Sequence, residues 1–247
     1  MKTKYILLII FCLVFGYKPC CSQDKLQFEE KLIRFGIEVN PNFNITVSLD
    51  FDYPIVQQNT DLLNICEEIL SEIFEFPTDS IITDSIILLE HFFGISELEE
   101  IDWYSDTDIK MNYEKSVNGK VLFTDDNILS YRISSYIYSG GAHGYSHLTY
   151  FVFDLKTGKR LTEEDIFTEN YQEIITEIML NKLNVSNNNS LDDYYLDNIK
   201  PNSNFFVDEK GITYFFNSYE IACYAFGPTE IFISYQEIQS ILKKKII

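Results

Sequence analysis

Residues 128–154 read ILSYRISSYIYSGGAHGYSHLTYFVFD, two apolar-rich runs on either side of Gly140-Gly141-Ala142-His143-Gly144. Runs rich in Tyr, Ile, Phe and Val, broken by adjacent glycines, predict strands from Ile128 to Ser139 and from His147 to Asp154 joined by a turn. The same pattern extends outward. Asn118-Gly119 predicts a hairpin turn after Val117, with a strand at 120–124. Leu155-Lys156-Thr157-Gly158 predicts another turn. Asp208-Glu209-Lys210-Gly211 predicts a hairpin between strands at 205–207 and 212–216, and Gly227-Pro228 separates strands at 219–225 and 230–233.

Before these strands, Ile45, Val47, Leu49, Phe51 and Tyr53 alternate with polar residues, the period of a strand with one wet face. From Thr60 as N-cap, the set Leu62, Ile65, Cys66, Ile69, Leu70, Ile73 recurs at helical spacing and predicts a helix closed near Pro77. A second helix is expected over 80–93, stopped by Gly94, and a short one within the acidic stretch 97–108. Thr162 with Asp165 opens a helix whose stripe runs Tyr171, Ile174, Ile175, Ile178, Leu183, and Ser234 with Glu237 opens a last one. Antiparallel sheet(s) with segregated helices define an α+β fold. Strand-then-helix order occurs twice, at 45–76 and 147–183, as two similar halves would give; the expected division is a leader at 1–22, an N-terminal half at 23–145 and a C-terminal half at 146–247.

The leader is read from Lys2 and Lys4 followed by the apolar run Tyr5–Phe15, too short to cross a bilayer, which needs ~20 residues. Cleavage after Ser22 is the preferred fate. Lipidation at Cys20 or Cys21 is the alternative, although Tyr17, Lys18 and Pro19 are not the small residues that processing favours. The chain is therefore expected to be exported, to the periplasm, the cell surface or the medium, with no transmembrane segment after the leader. Loss of residues 1–22 removes three lysines and no acid and moves the formal charge from −19 to −22. Nucleic acid and anionic membrane surfaces are poor partners, since both demand basic patches; a basic protein or cation would be drawn in, although such acidity most often serves only to keep a protein soluble. Beyond the leader only Cys66 and Cys223 remain, and their pairing is left open.

No catalytic or metal constellation stands out, and no cofactor is expected. His143 and His147 have a zinc-helix spacing, but the neighbouring glycines place them on a turn and strand, where four residues span ~13 Å. G-x-S-x-G, phosphate-loop and dinucleotide motifs are absent. Gly140, Gly141, His143 and Gly144 suit either a functional loop or a structural elbow.

The runs Asn127–Ser130 and Tyr136–Gly144, then Asp154–Lys159 with Leu161 and Ile166-Phe167, then Phe205–Gly211 and Tyr219-Glu220-Ile221-Ala222 through Tyr235, resemble the RsiV-type extracytoplasmic domain family. This domain of unknown function is also found ahead of the deacetylase domain in PdaC. The likeness spans roughly residues 38–243. It implies an α+β envelope module that binds a protein such as lysozyme or a peptidoglycan fragment, with Gly140, Gly141, His143, Gly144, Tyr219 and Glu220 as candidate binding residues. Neither the sigma-factor segment nor the deacetylase domain of those relatives is expected in this chain. The alternative is a wall hydrolase using His143 with Asp154, Glu220 or Tyr219.

Overall fold

The computed structural model describes residues 6–8, 26–40, 42–55, 62–95, 111–186 and 191–243. Among the described residues nine strands form two sheets: six in the order β1-β2-β3-β4-β5-β6 and three in the order β7-β8-β9. The chain divides into two compact units, residues 1–120 with 133–147, and residues 121–132 with 148–247. The expected α+β class is correct, and the helices lie in segments of their own.

In the first unit, β2 (Gln27–Asn40) and β3 (Phe43–Ile55) form a long antiparallel hairpin. The strand at 45–53 was legible. β2 was not, because Leu32 beside Ile33 and the glycine at 36 blur an alternation that emerges only as Ile33, Phe35 and Ile37 are buried. The helix α1 (Leu63–Phe74) packs on β3 and buries Ile65, Ile69, Leu70, Ile73 and Phe74. The expected cap at Thr60 lies outside the described residues, as does the helix expected within 97–108. The second helix, α2 (Ser85–Phe93), begins later than expected because Asp84 is its N-cap, accepting from the Ile86 and Ile87 amides; Gly94 at φ +69° ends it.

After α2 comes β4 (Met111–Thr124), which pairs parallel to β3. This is one departure from the antiparallel expectation, and it corrects a second one. Asn118-Gly119 is no hairpin: it sits inside β4, opposite Asp50 and Phe51. Neither residue takes the left-handed φ a two-residue turn requires. Asn118 Nδ2 instead donates to the Asp50 carbonyl at 3.4 Å, and Lys120 Nζ reaches Asp50 at 2.9 Å, Glu30 at 3.2 Å and Asp52 at 3.5 Å. Cross-strand partners thus outweigh a local turn preference. Strand β1 (Ile6–Leu8) pairs antiparallel with residues 36–38 of β2 at the outer edge of the sheet.

Strands β5 (Ile128–Ser139) and β6 (Tyr145–Asp154) follow, near their expected bounds. In the second unit, β7 (Phe205–Val207), β8 (Gly211–Phe216) and β9 (Thr229–Ser234) form an antiparallel meander. The helix α4 (Tyr171–Ser186) packs on β9, and Ile175, Met179, Leu183, Tyr214, Phe216 and Ile233 share one core. The Asp208–Gly211 hairpin forms as expected, the Asp208 carboxylate accepting from the Lys210 and Gly211 amides at 2.7 and 3.0 Å. The edge of β6 is closed by side chains: Asn217 exchanges bonds with Leu148 N (2.8 Å) and O (3.1 Å), and Asn204 accepts from Tyr150 N (2.8 Å). Amides mimic a neighbouring strand here and blunt an edge that would otherwise pair with another chain.

Both expected capping boxes form, at α3 (Glu163–Ile166) and α5 (Tyr235–Ile238). The first, however, opens a four-residue helix of its own, ended by extended Phe167, and the striped helix α4 starts separately at Tyr171. Burial pushes the Asp165 carboxyl up, but bonds from Lys159 and from the Thr162 amide and hydroxyl outweigh it and hold it below its ordinary value. Glu237 is lowered in the same way by Lys182 and Ser234. A carboxyl depressed by folding contributes stability that is present above its unfolded pKa and lost as pH falls through the folded one. The melting temperature should therefore drop on acidification below about pH 4. Asp165→Asn with Glu237→Gln should flatten that drop while lowering stability at pH 7 by about 1 kcal/mol per cap, a comparison made by thermal melts from pH 7 to 3.

Candidate functional site

The residues singled out from sequence fall in two places. Gly140, Gly141, His143 and Gly144 lie in the first unit; Tyr219 and Glu220 lie in the second. Gly140 and Gly141 take φ of +89° and +99°, which their lack of Cβ allows. The turn is tied by Tyr138 Oη donating to the Gly141 carbonyl at 2.9 Å and by His143 Nδ1–H donating to the Gly144 carbonyl at 3.0 Å. The Tyr136 ring fills the space a Cβ on Gly144 would need, within 2.4 Å. His143 precedes β6 and His147 lies within it, stacked on Tyr145. Among the described residues no cluster of three His, Cys, Asp or Glu is placed to hold a metal ion. Two of the partners considered for His143 are engaged locally: Asp154 accepts from the Lys156 and Thr157 amides, and Glu220 accepts from the Asn217 amide at 2.9 Å. Cys66 is buried and Cys223 exposed, both as free thiols.

Around Tyr219 the expected strand 219–225 does not form. Residues 218–220 make a turn and 224–226 a 3-10 turn, with only a bridge between Ala222 and Tyr194. Ile221 and Ala222 are buried and act as the anchor, while the aromatic residues on either side are turned outward. Tyr219 is 57% exposed, Tyr224 50% and Phe226 41%. The Tyr219 and Tyr224 rings stack with centroids 5.3 Å apart, and Tyr194 meets Phe226 edge-on at 5.6 Å. The backbone beneath is fixed by Tyr195 N donating to the Ile221 carbonyl (2.8 Å), Asn198 Nδ2 to the Glu220 carbonyl (2.8 Å) and Gly227 N to the Tyr224 carbonyl (3.0 Å). Tyr219 holds φ +75°, a conformation a bulky residue adopts only when its surroundings impose it.

The two segments that build this surface, 191–198 and 217–230, contain Asp192, Asp193, Asp197, Glu220 and Glu230 and no lysine or arginine. Exposed rings on segments that carry carboxylates and no base have the chemistry that suits ammonium and guanidinium groups. Tyr219 and Glu220 were named from sequence. Tyr194, Tyr224 and Phe226 were missed, because only the tertiary bridge at Ala222 gathers them.

The fold is that of an α+β domain with its helices separate from two sheets. The family model described as Protein of unknown function (DUF3298) matches residues 164–236, and the model described as Deacetylase PdaC matches residues 95–146. The resemblance read from the sequence therefore holds. The glycine turn lies within the second match and the aromatic surface within the first. A solved structure of a DUF3298 family member from Bacteroides fragilis is 25% identical, covers 89% of this chain and 94% of its own, and superposes with a TM-score of 0.71. A DUF3298 family protein from Pseudomonas aeruginosa, 17% identical over 91% of this chain and 97% of its own, shares the fold with a TM-score of 0.64. No curated protein matches the chain.

Proposed function

We propose that this chain is an exported, non-catalytic binding module of the cell envelope, and that the aromatic surface at Tyr219, Tyr224 and Phe226 holds a cationic protein. Export is supported by the leader-like residues 1–22, and among the described residues no helix is long and apolar enough to cross a membrane. The observation that carries the binding reading is the outward aromatic surface on a fixed backbone, built from two segments that hold five acids and no base. Rigid aromatic anchors are the residues that dominate binding energy at interfaces. Carboxylates around them would steer a basic partner and make association salt-sensitive.

The test is calorimetric titration with lysozyme as the cationic probe and with soluble peptidoglycan fragments in parallel. Lysozyme should bind at low salt and weaken as salt rises. Tyr219→Ala with Tyr224→Ala should weaken it by about tenfold or more, with the melting temperature nearly unchanged because both rings are exposed. Retention of peptidoglycan alone would replace the protein partner by a wall fragment. Absence of binding to either, or unchanged binding by the double variant, would remove this reading.

A further inference from the structure

The register of the first sheet builds a separate polar site in the first unit. Arg34, Gly36 and Glu38 of β2 lie opposite Ser48, Thr46 and Asn44 of β3. Those three in turn lie opposite Ser116, Glu114 and Asn112 of β4. Because successive side chains alternate between faces, these positions form three rows of three on one side of the sheet. Phe35, Ile37, Ile45 and Val47, the residues between them, are buried on the other side. The array lines an open concave face of the sheet that encloses about 800 Å³, with Arg34, Glu38, Thr46, Asn112 and Glu114 exposed.

Charge and shape on this face are specific. Arg34 stands at one end, its guanidinium donating to Ser48 Oγ through Nε and Nη2 at 3.4 Å. Glu38 stands at the other end of the same strand, four residues or ~13 Å away, and both side chains are exposed. Between them Gly36 leaves the floor without a side chain. Packing does not demand a glycine there: its φ lies outside the left-handed region, and a Cβ would meet only Ile45 O and Thr46 Cγ2, each at 3.7 Å. Glycine within a strand often marks a place where a ligand or another backbone approaches closely.

We propose that this concave face takes a short zwitterionic peptide of about four residues, its terminal carboxylate on Arg34 and its terminal ammonium at Glu38, since four extended residues span ~13–14 Å. The hydroxyl and amide side chains of Thr46, Asn44 and Asn112 supply donors and acceptors to the peptide groups in between. One guanidinium against the carboxylates of Glu38 and Glu114 disfavours a polyanion.

Calorimetry with tetra-alanine tests the assignment, alongside its C-amidated and N-acetylated forms and chitotetraose. Tetra-alanine should bind, and amidation should weaken it by about tenfold or more. Arg34→Gln should do the same, with little added effect of amidation, because both remove one contact. Acetylation and Glu38→Gln should form a second such pair. Gly36→Val should abolish binding with an unchanged melting temperature. No binding of tetra-alanine, equal binding of the capped peptides, or preference for chitotetraose insensitive to Arg34→Gln would overturn the proposal. The capped peptides decide on the unaltered protein should a variant fail to fold. Lysozyme binding through Tyr219 and Tyr224 lies in the other unit, so either reading can fail alone.

Discussion

Gly211→Ala is expected to lower stability by about 3 kcal/mol or more, the upper range for overpacking a fixed core site. Gly211 opens β8 and pairs with Ser234 of β9. A Cβ there would lie 2.2 Å from the Ile233 carbonyl oxygen, 2.8 Å from Phe232 Cε2 and 2.9 Å from Ser234 Cα. Two of these are backbone atoms, which cannot swing aside as a side chain can. The strand end cannot retreat either. Asp208 holds Gly211 through its carboxylate and its own amide, and Tyr235 donates from its amide to Lys210 O and from its hydroxyl to Asp208 O, at 3.1 and 2.8 Å. Relief therefore requires β8 and β9 to part where Ile212 and Ile233 meet in the core. The melting temperature should fall by about 6–12 °C, whereas Gly36→Ala, with its nearest contacts at 3.7 Å, should leave it almost unchanged. Equal melting temperatures for the two variants would contradict the β8–β9 packing.

Glu75→Ala should cost about 2–3 kcal/mol, because it strands a buried ammonium. Lys115 is 2% exposed, unlike any other lysine described, and its Nζ donates to Glu75 Oε1 and to Ser135 Oγ while lying 5.0 Å from the centre of the Phe92 ring. Glu75 is itself 40% exposed, so its charge is partly screened and the loss falls at or below the range for a fully buried pair. The position of Glu75 is informative. It follows α1 with φ +62°, a site where glycine is the easier residue, and it carries a glutamate whose carboxylate is engaged with Lys115. Glu75→Gly should therefore be less harmful than Glu75→Ala by about 1 kcal/mol, since it relieves the backbone while losing the same ion pair. Lys115→Met should cost less than either, because Glu75 left alone can still reach water. Urea titrations of the three variants check the order; a Lys115→Met loss larger than that of Glu75→Ala would mean that packing of the lysine stem, not its charge, holds the site.

Features set by neighbours within a few residues were legible in the chain itself. The alternation of 45–53, the helical stripes of 62–73 and 171–183, the boxes at Thr162 and Ser234 and the Asp208–Gly211 hairpin all rest on interactions across two to four positions. They recur in the fold with small shifts of boundary. Asn118-Gly119 and Tyr219–Ala225 are the instructive departures. The first has the strongest local turn preference in the chain, yet its opportunity to pair with Asp50 and Phe51, nearly seventy residues earlier, prevails. The second reads as a strand because Ile221 and Ala222 are apolar among aromatics. Its backbone makes a single strand-like bridge, to Tyr194, and is otherwise held by turn and loop hydrogen bonds, so anchored loops form and the tyrosines face outward.

From its order of residues alone this protein was bound to be acidic, to carry an apolar leader-like start and to mix antiparallel strands with separate helices, because charge, hydrophobic run length and periodicity are properties of short segments. Which segments meet was decided by tertiary structure. The parallel seam between β3 and β4, the gathering of Tyr194 with Phe226, the amide clasps of Asn204 and Asn217 on β6 and the rows that set Arg34 and Glu38 at the ends of one concave face all join residues through sheet register and core burial. Those energies depend on partners distant along the chain, so no local pattern announces them, and they create the surfaces on which function is proposed.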